Sequence, residues 1–177
     1  TNSYENGLFY SEYYRDTDGL TNRGGYDLNI NYDKKYKNPK QKLTSYISYS
    51  LGGNDGSSEY WTTPRTGFEK LVSENRAKNG NEGQDSNFDF KTDYVHPFEN
   101  GNIVEVGFNN RFRNRDDSQL AYLFDTEKEI IKDDSLSNQF LYDENINAAY
   151  LQYSTSLGIL GMTVGARYEN VSMSSKL

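Results

Sequence analysis

Three observations predict an all-β fold, an antiparallel up-and-down transmembrane β-barrel segment. Side chains sort with a period of two, rings abound in a chain otherwise poor in apolar residues, and short connections alternate with long ones. Hydrophobic residues make up 34% of the 177, yet aromatics reach 15%, with 16 Tyr and 9 Phe. A disordered chain lacks rings as well as aliphatics. A barrel wall with a wet interior needs apolar side chains only at alternate positions and gathers rings at the two membrane interfaces. No stretch of about 18 apolar residues is present, so no helix crosses a membrane.

Seven strands are predicted, over residues 4–14, 25–36, 42–52, 86–96, 102–113, 140–155 and 160–173. Each reaches the roughly 9–11 residues needed to cross a bilayer at a tilt. The second is the clearest: Tyr26, Leu28, Ile30 and Tyr32 alternate with Asp27, Asn29, Asn31 and Asp33. The third puts Leu43, Ile47, Tyr49 and Leu51 on one side, with Ser45 as an interruption. The fourth sorts Phe88, Phe90 and Tyr94 from Asp89, Lys91 and Asp93, with Thr92 the soft spot on the apolar side. In the fifth, Val104, Val106 and Phe108 oppose Glu105, Arg111 and Arg113. The last sets Met162, Val164 and Tyr168 against Arg167 and Glu169. The sixth leaves two readings open. Phe140, Tyr142, Ile146, Ala148 and Tyr150 share one parity, and Ala149, Leu151 and Tyr153 share the other. Either a bulge near Ala148 switches the register, or the second set faces lumen neighbours.

Tight links fall at 37–40, 97–101 and 157–159, and Asn100-Gly101 is a strong hairpin dipeptide. Long polar links are predicted at 52–85 and 114–138, with a shorter one near 15–24. Residues 127–136 could form a helix inside the second long loop. In an outer-membrane barrel the periplasmic turns are short and the extracellular loops long, so this rhythm predicts a bacterial outer-membrane location. Seven strands are odd in number and too few to close. Residues 1–177 are therefore expected to be a partial barrel domain, with the remaining strands supplied elsewhere. The start at Thr1-Asn2-Ser3-Tyr4 carries no leader, and Ser174-Ser175-Lys176-Leu177 follows directly on a strand, which favours the same expectation of an internal piece.

Side-chain chemistry narrows the function classes. A formal charge of −7 argues against nucleic acid as a partner, and the absence of Cys removes thiol catalysis and Cys-based metal sites. His96 is the only histidine and, beside Pro97, is expected to end a strand at the interface rather than to act in catalysis. No enzyme activity and no cofactor are predicted. Asp16-Thr17-Asp18-Gly19 and Asn54-Asp55-Gly56-Ser57-Ser58-Glu59 offer oxygens to Ca²⁺, but neither completes a twelve-residue calcium loop. Asp27, Asp33, Asp89, Lys91, Asp93, Glu105, Arg111, Arg113, Arg167 and Glu169 are expected to face a wet lumen, either as cross-strand ion pairs or as contacts for a plug or solute. Tyr26, Leu28, Ile30, Tyr32, Val104, Val106, Phe108, Met162, Val164 and Tyr168 are expected to face outer-membrane lipid. Trp61, at the start of a long loop, is the expected ligand or partner contact. Lys34, Lys35, Lys37, Lys40 and Lys42 around the first tight turn suit anionic lipid heads. Asp116, Asp117, Asp125, Glu127, Glu129, Asp133 and Asp134 make the second long loop acidic.

The run Asp93-Tyr94-Val95-His96-Pro97-Phe98, followed by Val104-Glu105-Val106-Gly107-Phe108, resembles the barrel region of TonB-dependent receptors of the Bacteroidetes type. So does Phe140-Leu141-Tyr142-Asp143-Glu144-Asn145-Ile146-Asn147-Ala148-Ala149-Tyr150-Leu151-Gln152-Tyr153-Ser154, and Gly165-Ala166-Arg167-Tyr168-Glu169 is similar to the strand that follows it there. The resemblance spans roughly residues 25–169. It implies a barrel of about 22 strands closed by a plug domain, importing a scarce or large solute with energy relayed by TonB. It implies the plug domain and TonB as partners and leaves room for a surface lipoprotein. Neither a plug nor a TonB-binding segment is among these residues. The competing classes are an unplugged porin-like barrel and a soluble, surface-exposed all-β binding or adhesion domain. In the latter the apolar faces would be buried against a second sheet.

Overall fold

A computed structural model describes residues 2–5, 8–66, 69–70, 75–124 and 130–177, with side chains placed within 15–63, 76–124 and 130–177. They form one antiparallel sheet built from β1 (Asn2–Glu5), β2 (Leu8–Lys35), β3 (Lys42–Thr66), β4 (Glu69–Lys70), β5 (Asn75–Pro97), β6 (Ile103–Phe124), β7 (Ile130–Leu157) and β8 (Leu160–Lys176). The spatial order is β1-β2-β3-β5-β6-β7-β8, with β4 folded back on the end of β3. Each long strand pairs with its neighbours in sequence, the up-and-down topology that alternating turns dictate.

The described residues form six long strands where seven were expected. Residues 4–14 and 25–36 are not two strands: β2 runs unbroken through the polar stretch between them, and β1 folds back on its beginning. The reason is the partner. Arg15 to Gly25 face Thr62 to Gly52 of β3 residue by residue, so the ladder satisfies this backbone. The long links at 52–85 and 114–138 are likewise mostly strand. β3 and β5 pair from Lys42↔Val95 up to Thr62↔Asn75, and β5 and β6 from Pro97↔Ile103 up to Ala77↔Leu123. The helix weighed as an alternative for 127–136 gives way to β7 from Ile130 onward, and 127–129 lie outside the described residues.

The tight turns sit where the dipeptides place them. At residues 98–102, Gly101 N–H donates to Phe98 O at 3.1 Å and Phe98 N–H to Asn102 O at 2.8 Å. Gly101 takes φ of +82° and Gly158 φ of +64°, left-handed conformations that favour glycine. All three tight turns lie at one end of the sheet, and the hairpins at the other end stand far from them.

The β6–β7 ladder settles the register of residues 140–155. It runs without interruption from Ile103↔Ser154 to Gln119↔Asn138, so there is no bulge near Ala148. The alternative reading is also corrected, because the parities are reversed. Ala149, Leu151 and Tyr153 stand opposite Phe108, Val106 and Val104, while Ile146, Ala148 and Tyr150 share the face of Arg111, Asn109 and Gly107. A register shift does occur, higher up, between Gln119 and Ala121. There β7 carries the extra residues 134–137, and Ser137 Oγ stands in for the ladder, accepting Ala121 N–H at 3.0 Å.

Candidate functional site

Directly opposed residues of an antiparallel pair share a face, so the registers sort every side chain. Tyr26, Leu28, Ile30 and Tyr32 share one face with Val104, Val106, Phe108, Met162, Val164 and Tyr168. Polar interruptions of that face meet one another: Ser45 is opposite Thr92 with their hydroxyls 2.9 Å apart, and Asn110 donates to Asn145 at 3.0 Å and to Asn147 at 2.8 Å. Each thereby satisfies a group that hydrocarbon could not. Rings pair at the ends of the face, Tyr26 with Tyr49 at 6.3 Å and Tyr36 with Tyr94 at 6.2 Å.

Among the described residues nothing covers this face. Leu28, Tyr32, Leu151, Val164 and Tyr168 are 53–70% exposed, and among the described residues only Ala77 and Ala148 are buried apolar groups. A soluble two-layer fold would bury such a face against a second layer.

The apolar band also slants. Its centre on β2 is level with Asn29, and cross-strand pairing carries that level through Ser48, Asp89, Arg111 and Ile146 to Val171. On β8 the apolar run from Leu160 to Tyr168 is centred on Val164, seven residues nearer the tight turns. At about 3.3 Å per residue and about 4.8 Å per strand, the band descends roughly 23 Å while crossing roughly 24 Å. A horizontal band therefore requires strands inclined by roughly 45°, the tilt that barrels adopt.

The opposite face is polar. Asp27, Asp33, Asp89, Lys91, Asp93, Glu105, Arg111, Arg113, Arg167 and Glu169 all lie on it. Arg111 Nε donates to the directly opposed Asp89 at 2.7 Å, and Arg113 pairs with the directly opposed Glu144 at 3.5 Å. Lys91 meets Asp93 at 3.2 Å and Arg167 meets Glu169 at 2.8 Å along their own strands. Tyr150 donates to Asp93 at 2.6 Å, reaching across β6 because Gly107, between them, has no side chain.

An outer membrane protein beta-barrel family model matches residues 34–177. The chain belongs to that family. No curated protein matches it. As a member of the outer membrane β-barrel family it contributes barrel wall in the bacterial outer membrane, and the family points to a structural or transport role.

The family member's remaining candidate residues divide clearly. Trp61 does not begin a loop; it lies on β3 beside Arg76 of β5, whose guanidinium is 5.4 Å from the Trp61 ring and 4.2 Å from that of Phe124. Arg76 also binds Glu59 at 2.6 Å, a cluster that sequence alone did not single out. His96 Nδ1 is 3.1 Å from the Tyr94 hydroxyl and its ring stands edge-on to Phe98 at 4.7 Å, as part of the ring cluster at the tight-turn end. The two candidate calcium segments are strand, so successive oxygens point to opposite faces, and no group of three acidic or histidine side chains able to hold a metal ion occurs among the described residues. Lys34 lies over the Tyr36 ring at 4.9 Å and Lys42 pairs with Asp33 at 3.6 Å. In the second long hairpin, Asp116 accepts from Gln139 at 2.8 Å, while Asp125, Glu127 and Glu129 lie outside the described residues.

Proposed function

We propose that this chain forms part of the wall of a larger, plugged barrel, a TonB-dependent receptor that imports a scarce or large solute without chemically altering it. The slanted apolar band carries the membrane half of this reading: its side chains face lipid, and the charged opposite face lines the lumen. The sheet's outer edges support the larger barrel, because β8 does not pair with β1 or β2 and an unpaired edge cannot stand in hydrocarbon. The sequence resemblance supports the plug and TonB. The tall hairpins support capture of a solute: Thr66 is 15 residues beyond Leu51, or roughly 35 Å above the band at a 45° tilt.

A porin-like barrel shares the same wall and differs in being open. Full-length protein in planar bilayers separates the two. A plugged receptor gives no steady ion conductance and retains the purified periplasmic domain of TonB. Steady open channels without TonB binding would sink the receptor reading. The soluble adhesion reading is disfavoured by the uncovered apolar face.

A further inference from the structure

The tight-turn end carries positive charge that the strand ladders do not consume. Lys34, Lys35, Lys37, Lys40 and Lys42 crowd together in a chain of net charge −7. The registers divide them. Lys35 and Lys42 stand opposite each other on the lumen face, where Lys42 meets Asp33 at 3.6 Å. Lys34 has the other parity and is the next outward residue below Tyr32, where the apolar band ends on β2. Lys37 and Lys40 are exposed in the turn between β2 and β3. Among the described residues no carboxylate pairs with Lys34, Lys37 or Lys40. Asp33, Asp93 and Glu105 lie on the lumen face, which leaves Glu99, in the exposed turn after β5, as the opposing charge at this end.

Lys34 is also built into a cradle. Its row runs through Leu43 to Tyr94. Its ammonium lies 4.9 Å from the centre of the Tyr36 ring, and Tyr36 stands edge-on to Tyr94 at 6.2 Å. The Tyr94 hydroxyl accepts from Gln41 Nε2 at 2.7 Å and is 3.1 Å from His96 Nδ1. Two strands thus place a cation, two phenol rings and an amide beside Leu43 on the outward face. The slant lets this turn reach past the apolar band. On β8 the band begins at Leu160, beside its own turn, whereas β2 continues through Lys34 and Lys35 below Tyr32.

An ammonium at that height is at the level of lipid heads, with apolar side chains above it and water below. The ring face attracts it and leaves its N–H donors free for a phosphate. Lys37 and Lys40 add to the field. A zwitterionic head brings an ammonium of its own, which these cations repel, so an anionic head is favoured. Its acyl chains continue upward over Leu43 and Tyr94 into the band. We propose that the outward side of the β2–β3 turn is a docking site for an anionic phospholipid of the periplasmic leaflet, with Lys34 as its principal contact. The assignment rests on the wall facing lipid and is independent of the plug and of TonB.

Full-length protein is equilibrated in detergent with equal amounts of phosphatidylglycerol and phosphatidylethanolamine, then passed through a column in lipid-free detergent. Retained lipid is extracted and counted by mass spectrometry. Phosphatidylglycerol is retained about fivefold or more over phosphatidylethanolamine. Lys34→Gln with Lys37→Gln and Lys40→Gln abolishes the preference, and Lys34→Arg alone keeps it. The control Lys78→Gln with Lys132→Gln and Lys176→Gln, which removes the same charge away from the turn, keeps it too. Heat-modifiable gel migration identifies folded variants. The proposal is overturned if the parent shows no preference, if the folded turn variant retains it, or if the control loses it equally. It is also overturned if inorganic phosphate displaces the lipid where chloride of equal ionic strength does not, since the site would then be one for free phosphate. Conductance and TonB retention, read on the same protein, bear on the receptor reading alone.

Discussion

Gly107 matters through the atoms it lacks. A Cβ there would overlap the Tyr150 ring and stand 2.6 Å from Asp93 Oδ1, so the ring could no longer cross β6 to reach Asp93. Gly107→Ala is expected to cost about 1–3 kcal/mol, the usual penalty of overpacking. In urea titrations of detergent-refolded protein, adding Tyr150→Ala to it should cost less than the two single changes summed. Strict additivity would show that the ring and the glycine are not in contact. A second residue-scale prediction concerns Asp133, at the base of the shifted segment of β7. Hydrogen bonds from Ser135 hold its carboxyl below the ordinary value of 3.8, and its carboxylate accepts Ser135 N–H at 2.9 Å. Because the folded value is depressed, the contribution is complete above 3.8 and fades as pH falls through the lower folded value. Exchange of the Ser135 amide, corrected for its intrinsic rate, should therefore be slowed at pH 6 and lose that protection under strong acid. Asp133→Ala should remove the protection at both, and an unchanged rate in that variant would refute the bond.

At the scale of the strand, the slant of the apolar band makes a prediction that cross-strand rows alone would not. Leu28 and Ser172 occupy the same row, joined through Tyr49, Phe88, Phe112 and Asn145, whereas Val164 lies well below that row on β8. If the band is level in the bilayer, Leu28→Arg and Val164→Arg each cost about 2–4 kcal/mol, and Ser172→Arg costs about 1 or less. Equal costs for Leu28→Arg and Ser172→Arg would mean that the strands stand upright. The faces themselves were legible from alternation, and the tight turns from Asn100-Gly101 and its counterparts. The reach of the strands was not. Between residues 15 and 24 both faces of β2 meet water, so no alternation survives, and a polar, glycine-containing stretch reads as a loop until its partner on β3 is known. The face of Phe140 and Tyr142 was equally hidden. Both parities of residues 140–155 carry apolar groups, and only pairing against Gly107 decides which parity shares the face of the charges.

For the molecule as a whole, the ends of the sheet differ in kind. One holds the tight turns, the cluster of Tyr36, Tyr94, His96 and Phe98, and the lysines around 34–42. The other holds hairpins that rise well past the apolar band and carry Asp116, Asp117, Asp133 and Asp134. Short turns belong on the periplasmic side of an outer-membrane barrel and long hairpins outside, which predicts the orientation. The chain has no Cys, which makes single-cysteine labelling free of background. Leu20→Cys and Asp134→Cys, both at well-exposed positions on the tall hairpins, should react with a membrane-impermeant maleimide on intact cells. Asn100→Cys, in the exposed turn after β5, should react only once the outer membrane is opened. Labelling of Asn100→Cys on intact cells, with Asp134→Cys protected, would invert the barrel.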